Sequence, residues 1–180
     1  MITNFIKNNP LLFFFLKLFL IWISWKGFII VIGEEAHPLE SRMFPAISAV
    51  WEDFNDFYRT VLLQSTEMVL KVMNYETTLS NNYKLKINGY GGVAVGNYCL
   101  GFQLMYYFSM LVLVAEMSKT RKTFGIVAGL IIVFVLNVMR IAGLNLMSVY
   151  CPSLLAFTHD YVFNFGVFGV LLILYNKFLI

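Results

Sequence analysis

The chain has 180 residues, 59% of them hydrophobic and 17% aromatic with only 13% charged, a balance that excludes an ordinary soluble domain and indicates an integral membrane protein. The net charge of +3 is small and the basic residues form no long run, so nucleic acid is discounted as a partner. Two cysteines, Cys99 and Cys151, are too few for a disulfide scaffold and form no CxxC pair, which argues against a dithiol oxidoreductase or a zinc site and leaves a single disulfide open.

The first apolar stretch, Pro10 to Ile32, is long enough to cross the ~30 Å hydrocarbon layer. Lys17 and Lys26 interrupt it, with stems that can snorkel toward opposite interfaces. Val31 to Pro38 offers no small-x-small cleavage site, so the segment reads as a retained anchor rather than a secretory signal. His37, just before Pro38, reads as a solvated loop histidine.

From Asp53 onward the polar residues Asp53, Asp56, Thr60, Gln64, Glu67, Lys71 and Asn74 recur at helical spacing. Phe54, Tyr58, Val61, Leu62, Met68, Val69 and Val72 lie opposite, which predicts an amphipathic helix over 53–75, too polar for a good span and suited to an interface. Tyr83 to Ile87 then alternates at period two, Asn88-Gly89 turns, and Val93-Ala94-Val95 returns. That short hairpin delivers the chain to Cys99.

Further spans are expected at about 100–117, 124–147 and 161–177. Lys119, Arg121 and Lys122 make a basic turn that the positive-inside rule assigns to the cytoplasm. With one crossing before and three after, both termini share that side, and residues 33–98 form the external segment. The expected fold class is an all-α polytopic membrane protein: one integral domain over 1–180, with about four transmembrane helices, an external amphipathic helix and a short β-hairpin. Its place is the cytoplasmic (inner) membrane, with membrane lipid as its surroundings.

Three residues that dislike lipid fall at the outer ends of three spans. At 1.5 Å per residue, Cys99 lies roughly 27 Å above Met117, Arg140 roughly 24 Å above Phe124, and His159 roughly 27 Å above Lys177. Each has a bland reading alone: a packed cysteine, a snorkelling arginine, a wetted histidine. Together at one depth, a thiol, a permanent cation and an imidazole are the parts of a cysteine acyl-transfer site, with no metal or cofactor required. Cys99 starts a span, where the positive end of a helix dipole favours the thiolate. Asn137 sits one turn before Arg140 on the same face, a supporting or substrate-binding position.

The stretches Asn97-Tyr98-Cys99-Leu100-Gly101, Asn137-Val138-Met139-Arg140-Ile141 and Thr158-His159, with a glycine-containing last span, resemble the three signature regions of the exosortase and archaeosortase family of membrane transpeptidases. The short length looks like the exosortase F type. The resemblance covers roughly Thr60 to the C-terminus, and it implies a cysteine nucleophile at Cys99, an essential arginine at Arg140 and a histidine at His159, where archaeosortases tend to carry arginine. It further implies, as substrates, the C-terminal sorting segments of exported proteins, cut at the outer face of the membrane through a thioester. Two departures stand out: Leu100 follows the cysteine where serine is common, and several helices of longer members are missing, so acceptor handling can differ or depend on an accessory membrane protein. Two other readings remain: a thiol redox or disulfide-bonded protein using Cys99 and Cys151, which leaves Arg140 unexplained, and a transport or assembly factor using Arg140 and Asn137, which leaves the cysteine dispensable.

Overall fold

A computed structural model describes residues 10–32, 44–80 and 83–159, followed by 165–167, 169–170, 173 and 176. Helix α1 is Pro10–Ile32, and its apolar composition needs no amphipathic face: Trp25 and Ile32 are buried while Phe19, Trp22 and Ile23 are exposed. Trp25 lies 5.1 Å from the Tyr106 ring, and the Ser24 and Tyr106 hydroxyls meet at 2.5 Å.

Helix α2, Pro45–Val72, begins well before the expected Asp53. Pro45 occupies its first turn, where a missing N–H costs nothing. One turn on, the buried Ser48 hydroxyl donates to the Ile32 carbonyl at 2.5 Å and so ties α2 to the end of α1. The buried face of α2 is Asn55, Leu62, Leu63, Thr66 and Leu70, not the whole expected apolar series. Phe54, Met68 and Val72 of that series are exposed and continue a second apolar stripe through Ile47, Val50 and Phe57.

The expected hairpin is a three-stranded antiparallel sheet: β1 Thr77–Ser80, β2 Lys84–Ile87 and β3 Gly92–Ala94, in the order β1-β2-β3. Thr77 pairs with Ile87 and Lys84 with Ala94. Thr77 to Ser80 carries no apolar alternation, which is why the first strand escapes a reading of the sequence. Leu85 and Ile87 turn their side chains to the core, as the period-two pattern requires.

Helix α3 is Phe102–Val114 and α4 is Lys119–Tyr150. The expected span over 100–117 is cut at both ends: Gly101 takes a left-handed φ of +82° before α3, and Ala115 is extended after it. Its 13 residues reach about 20 Å, less than a hydrocarbon layer. Lys122 finishes the lower end by donating to the Leu113 carbonyl at 2.6 Å. Among the described residues α1 and α4 are the helices long and apolar enough to cross a membrane. The expected last span, 161–177, lies largely outside the described residues, as does His37; 165–167 and 169–170 are helical.

Two apolar clusters build the core along α4. Near its N-terminal half, Phe108 and Val112 of α3 pack with Val133 and Val167. Near its C-terminal half, Leu62, Leu63 and Leu70 of α2, Leu85 and Ile87 of the sheet, Val95 and Leu100 surround Val138, Ile141 and Ala142. The second cluster sets the sheet and α2 against the end of α4 that carries Arg140.

Candidate active site

Between β3 and α3 the chain makes a four-residue 3-10 turn, Asn97–Leu100, closed by the Cys99 N–H donating to the Gly96 carbonyl at 3.0 Å. Gly101 then breaks the path so sharply that turn and helix do not merge. Cys99 therefore stands before α3 rather than on its first turn, and the helix-dipole argument for its thiolate does not carry over. Glycine at 101 is required twice, because φ is +82° and because a Cβ there would collide with the Asn137 amide.

That amide holds the turn from beneath. Asn137, 2% exposed, donates from Nδ2 to the Leu100 carbonyl at 2.9 Å. That bond ties α4 to the end of the turn that carries Cys99. One turn further along α4, Arg140 turns Nη2 toward His159, 3.4 Å from the ring Nε2 and 3.5 Å from the His159 carbonyl. Among the described residues the Arg140 Nε is buried without a partner.

After α4 the chain runs through a short 3-10 turn, Pro152–Leu154, and a one-turn helix α5, Leu155–Phe157. Thr158 and His159 follow in a wide π-type turn, with Thr158 buried. There His159 Nε2 lies 3.6 Å from Cys99 Sγ. The imidazole thus stands between the thiol and the guanidinium, bringing together residues 41 and 19 positions apart in the chain. A guanidinium can only donate, so a hydrogen bond from Arg140 uses the Nε2 lone pair of the neutral tautomer that carries its proton on Nδ1. The same lone pair faces the thiol.

Cys151 is exposed at the C-terminal cap of α4, about 16 Å along the axis from Arg140, and both cysteines are free thiols. The structure does not bring the two cysteines into one site. Beside Arg140 opens a groove of about 410 Å³, walled by Tyr98, Leu104, Tyr107, Asn137, Arg140 and Phe165. That is within the range of ligand-binding cavities, and its wall is mostly apolar, with Gln103, Asn137 and Arg140 as its strongly polar side chains.

Two residues of α2 reach the site that a reading of the sequence missed. Tyr58 packs against Phe102, with ring centroids 4.8 Å apart, and burial pushes its phenol up to about 12, so it stays neutral and brings no charge. Arg59 donates from Nη2 to Asn97 Oδ1 and from Nη1 to Asp56 at 2.5 Å. Arg59 belongs to neither series of the amphipathic pattern, and a cation beside the apolar face was the only signal in the sequence.

A mostly helical chain with spans apolar enough for a membrane and a thiol, an imidazole and a guanidinium gathered beside a groove defines a class: a membrane protein with a cysteine-centred cluster. The transmembrane exosortase model matches residues 10–176, nearly the whole chain, and the chain belongs to the exosortase family. No curated protein and no solved structure matches.

Proposed function

We propose that the protein is a membrane cysteine protease and transpeptidase that cuts the C-terminal sorting segment of exported proteins, with its site on the outer face of the cytoplasmic membrane. The observation that carries this reading is His159 Nε2, 3.6 Å from Cys99 Sγ and 3.4 Å from Arg140 Nη2. Family membership supports a peptidase or transpeptidase, and the geometry supports roles for these three residues.

In the first half-reaction, His159 Nε2 takes the thiol proton as Sγ attacks the carbonyl carbon of the scissile peptide. The Arg140 guanidinium, held beside the imidazole, stabilises the negative charge on the sulfur and then on the carbonyl oxygen. His159 returns its proton to the departing amine, the C–N bond breaks, and a thioester remains on Cys99. In the second half, an acceptor nucleophile or water gives its proton to His159, attacks the thioester carbon and frees the thiolate. A substrate whose tail lies in the bilayer arrives at fixed depth, so a site at one end of α4 needs to search only two dimensions.

The four-span arrangement, as a single integral domain, belongs to the same proposal. From Lys119 to Arg140 the helix climbs about 31 Å, which sets the cluster one hydrocarbon thickness from the basic turn. The test is mass spectrometry of the C-termini of exported proteins in cells carrying the wild-type gene or Cys99→Ala. Trimmed C-termini in the first and full-length precursors in the second are expected; identical C-termini in both would overturn the proposal.

A further inference from the structure

We infer that Arg59 is a positioning residue for Cys99, acting through Asn97 and not touching substrate. This rests on the cysteine reading above. The turn that carries Cys99 is only four residues long, and it opens with the Cys99 N–H donating to the Gly96 carbonyl. Its two ends are held by side chains from different helices. Asn137 of α4 fixes the Leu100 end, and Arg59 of α2 fixes the Asn97 end.

The Arg59 side chain is only 11% exposed, whereas its ion-pair partner Asp56 is 69% exposed. An ion pair with so exposed a partner adds little and does not require the guanidinium to be buried. The contact that does require burial is the second arm, to Asn97. Among the described residues Arg59 Nε is buried with no partner, while its two terminal nitrogens both donate. Docking of α2 does not depend on Arg59, because Leu62, Leu63 and Leu70 are fully buried against the sheet and α4. Lysine could not take its place, since a planar fork reaches two acceptors in fixed directions and an ammonium does not.

The test uses full-length protein in membranes with Cys151→Ala, so that Cys99 is the one thiol. Arg59→Ala, Asn97→Ala and the double variant are compared for substrate processing, for accumulation, and for the pH profile of Cys99 alkylation by N-ethylmaleimide. A displaced nucleophile costs about tenfold to a hundredfold in processing. Each single variant should lose that much with normal accumulation and a shifted alkylation profile, and the double should be no worse than the worse single, because both break one link. Normal processing in either single variant, losses that multiply, or losses that follow protein level would overturn the inference. Where Arg59→Ala fails to accumulate, Asn97→Ala against Asn97→Asp decides: the carboxylate keeps an acceptor for the guanidinium and should restore processing, and equal loss in both would sink the idea. Processing by Cys99→Ala would remove the nucleophile reading while the alkylation profiles still judge the link; an inactive Cys99→Ala beside normal Arg59 variants would remove the link alone.

Discussion

The two halves of α4 are built for different ends. In the N-terminal half Gly125 and Gly129 are buried four residues apart, and the Phe108 ring lies directly on the Gly129 backbone, so α3 approaches closely through shape alone. In the C-terminal half Asn137, Arg140 and Asn145 interrupt an otherwise apolar surface of Val138, Ile141 and Ala142. A buried amide is costly unless bonded, and Asn137 is bonded to a carbonyl of another element. One half gains stability by contact; the other accepts polar burial in order to fix where a loop stands.

The largest effect that could break this contrast is topological. Single cysteines at Ser80, in β1, and at Ser118, just before α4, introduced into a cysteine-free variant, should respond oppositely to an impermeant maleimide added outside intact cells. Ser80→Cys should label and Ser118→Cys should not. Equal labelling would mean that the two ends of α4 do not face different compartments.

The next contrast is between the two thiols. Cys99→Ala should abolish processing, and Cys151→Ala, at an exposed cap far from Arg140, should process normally. Equal failure of both, or a disulfide between them on non-reducing gels of active protein, would restore the redox reading. Arg140→Lys should then lower processing by about a hundredfold, some 2.7 kcal/mol of barrier, while the protein still accumulates. Near-normal turnover would show that Arg140 supplies charge alone.

Part of this half was legible in the sequence because three residues, each with a bland reading alone, fall together at one depth. Cys99, Arg140 and His159 stood out by depth, and Asn137 by sharing a face with Arg140. The rest depended on tertiary contacts with no periodic trace. Gly101 reads as an ordinary loop glycine until its φ of +82° and the Asn137 amide are seen together, and its break is what shortens α3 and takes Cys99 off the helix. The first strand lacks alternation, and α2 starts early, with Pro45 in its first turn and Ser48 bonded to the end of α1. Arg59 was hidden because its partner, Asn97, is 38 residues away.

Asn137→Ala should sharpen the contrast more gently. It leaves the buried Leu100 carbonyl without its donor, a loss of about 1–3 kcal/mol. Part of that should appear as lower stability and part as roughly tenfold slower processing, because the turn beside Cys99 is no longer held. Loss of stability with no change in rate per molecule would show that Asn137 does not position the turn.

The smallest effect on chemistry is expected from Gly129→Val, in the other half of α4. Any Cβ at this position meets the Phe108 ring, so α3 must move away or the ring must leave its rotamer. Overpacking of this kind typically costs about 1–3 kcal/mol. The site lies further along α4 and is held by separate contacts, from Asn137 below the turn and Arg59 at its far end. Thermal unfolding in detergent should therefore fall by several degrees while processing per folded molecule stays near wild type. A rate loss as large as that of Asn137→Ala would mean that the close packing of α3 on Gly129 also sets the depth of the Cys99 turn, and that the two halves of α4 act as one unit.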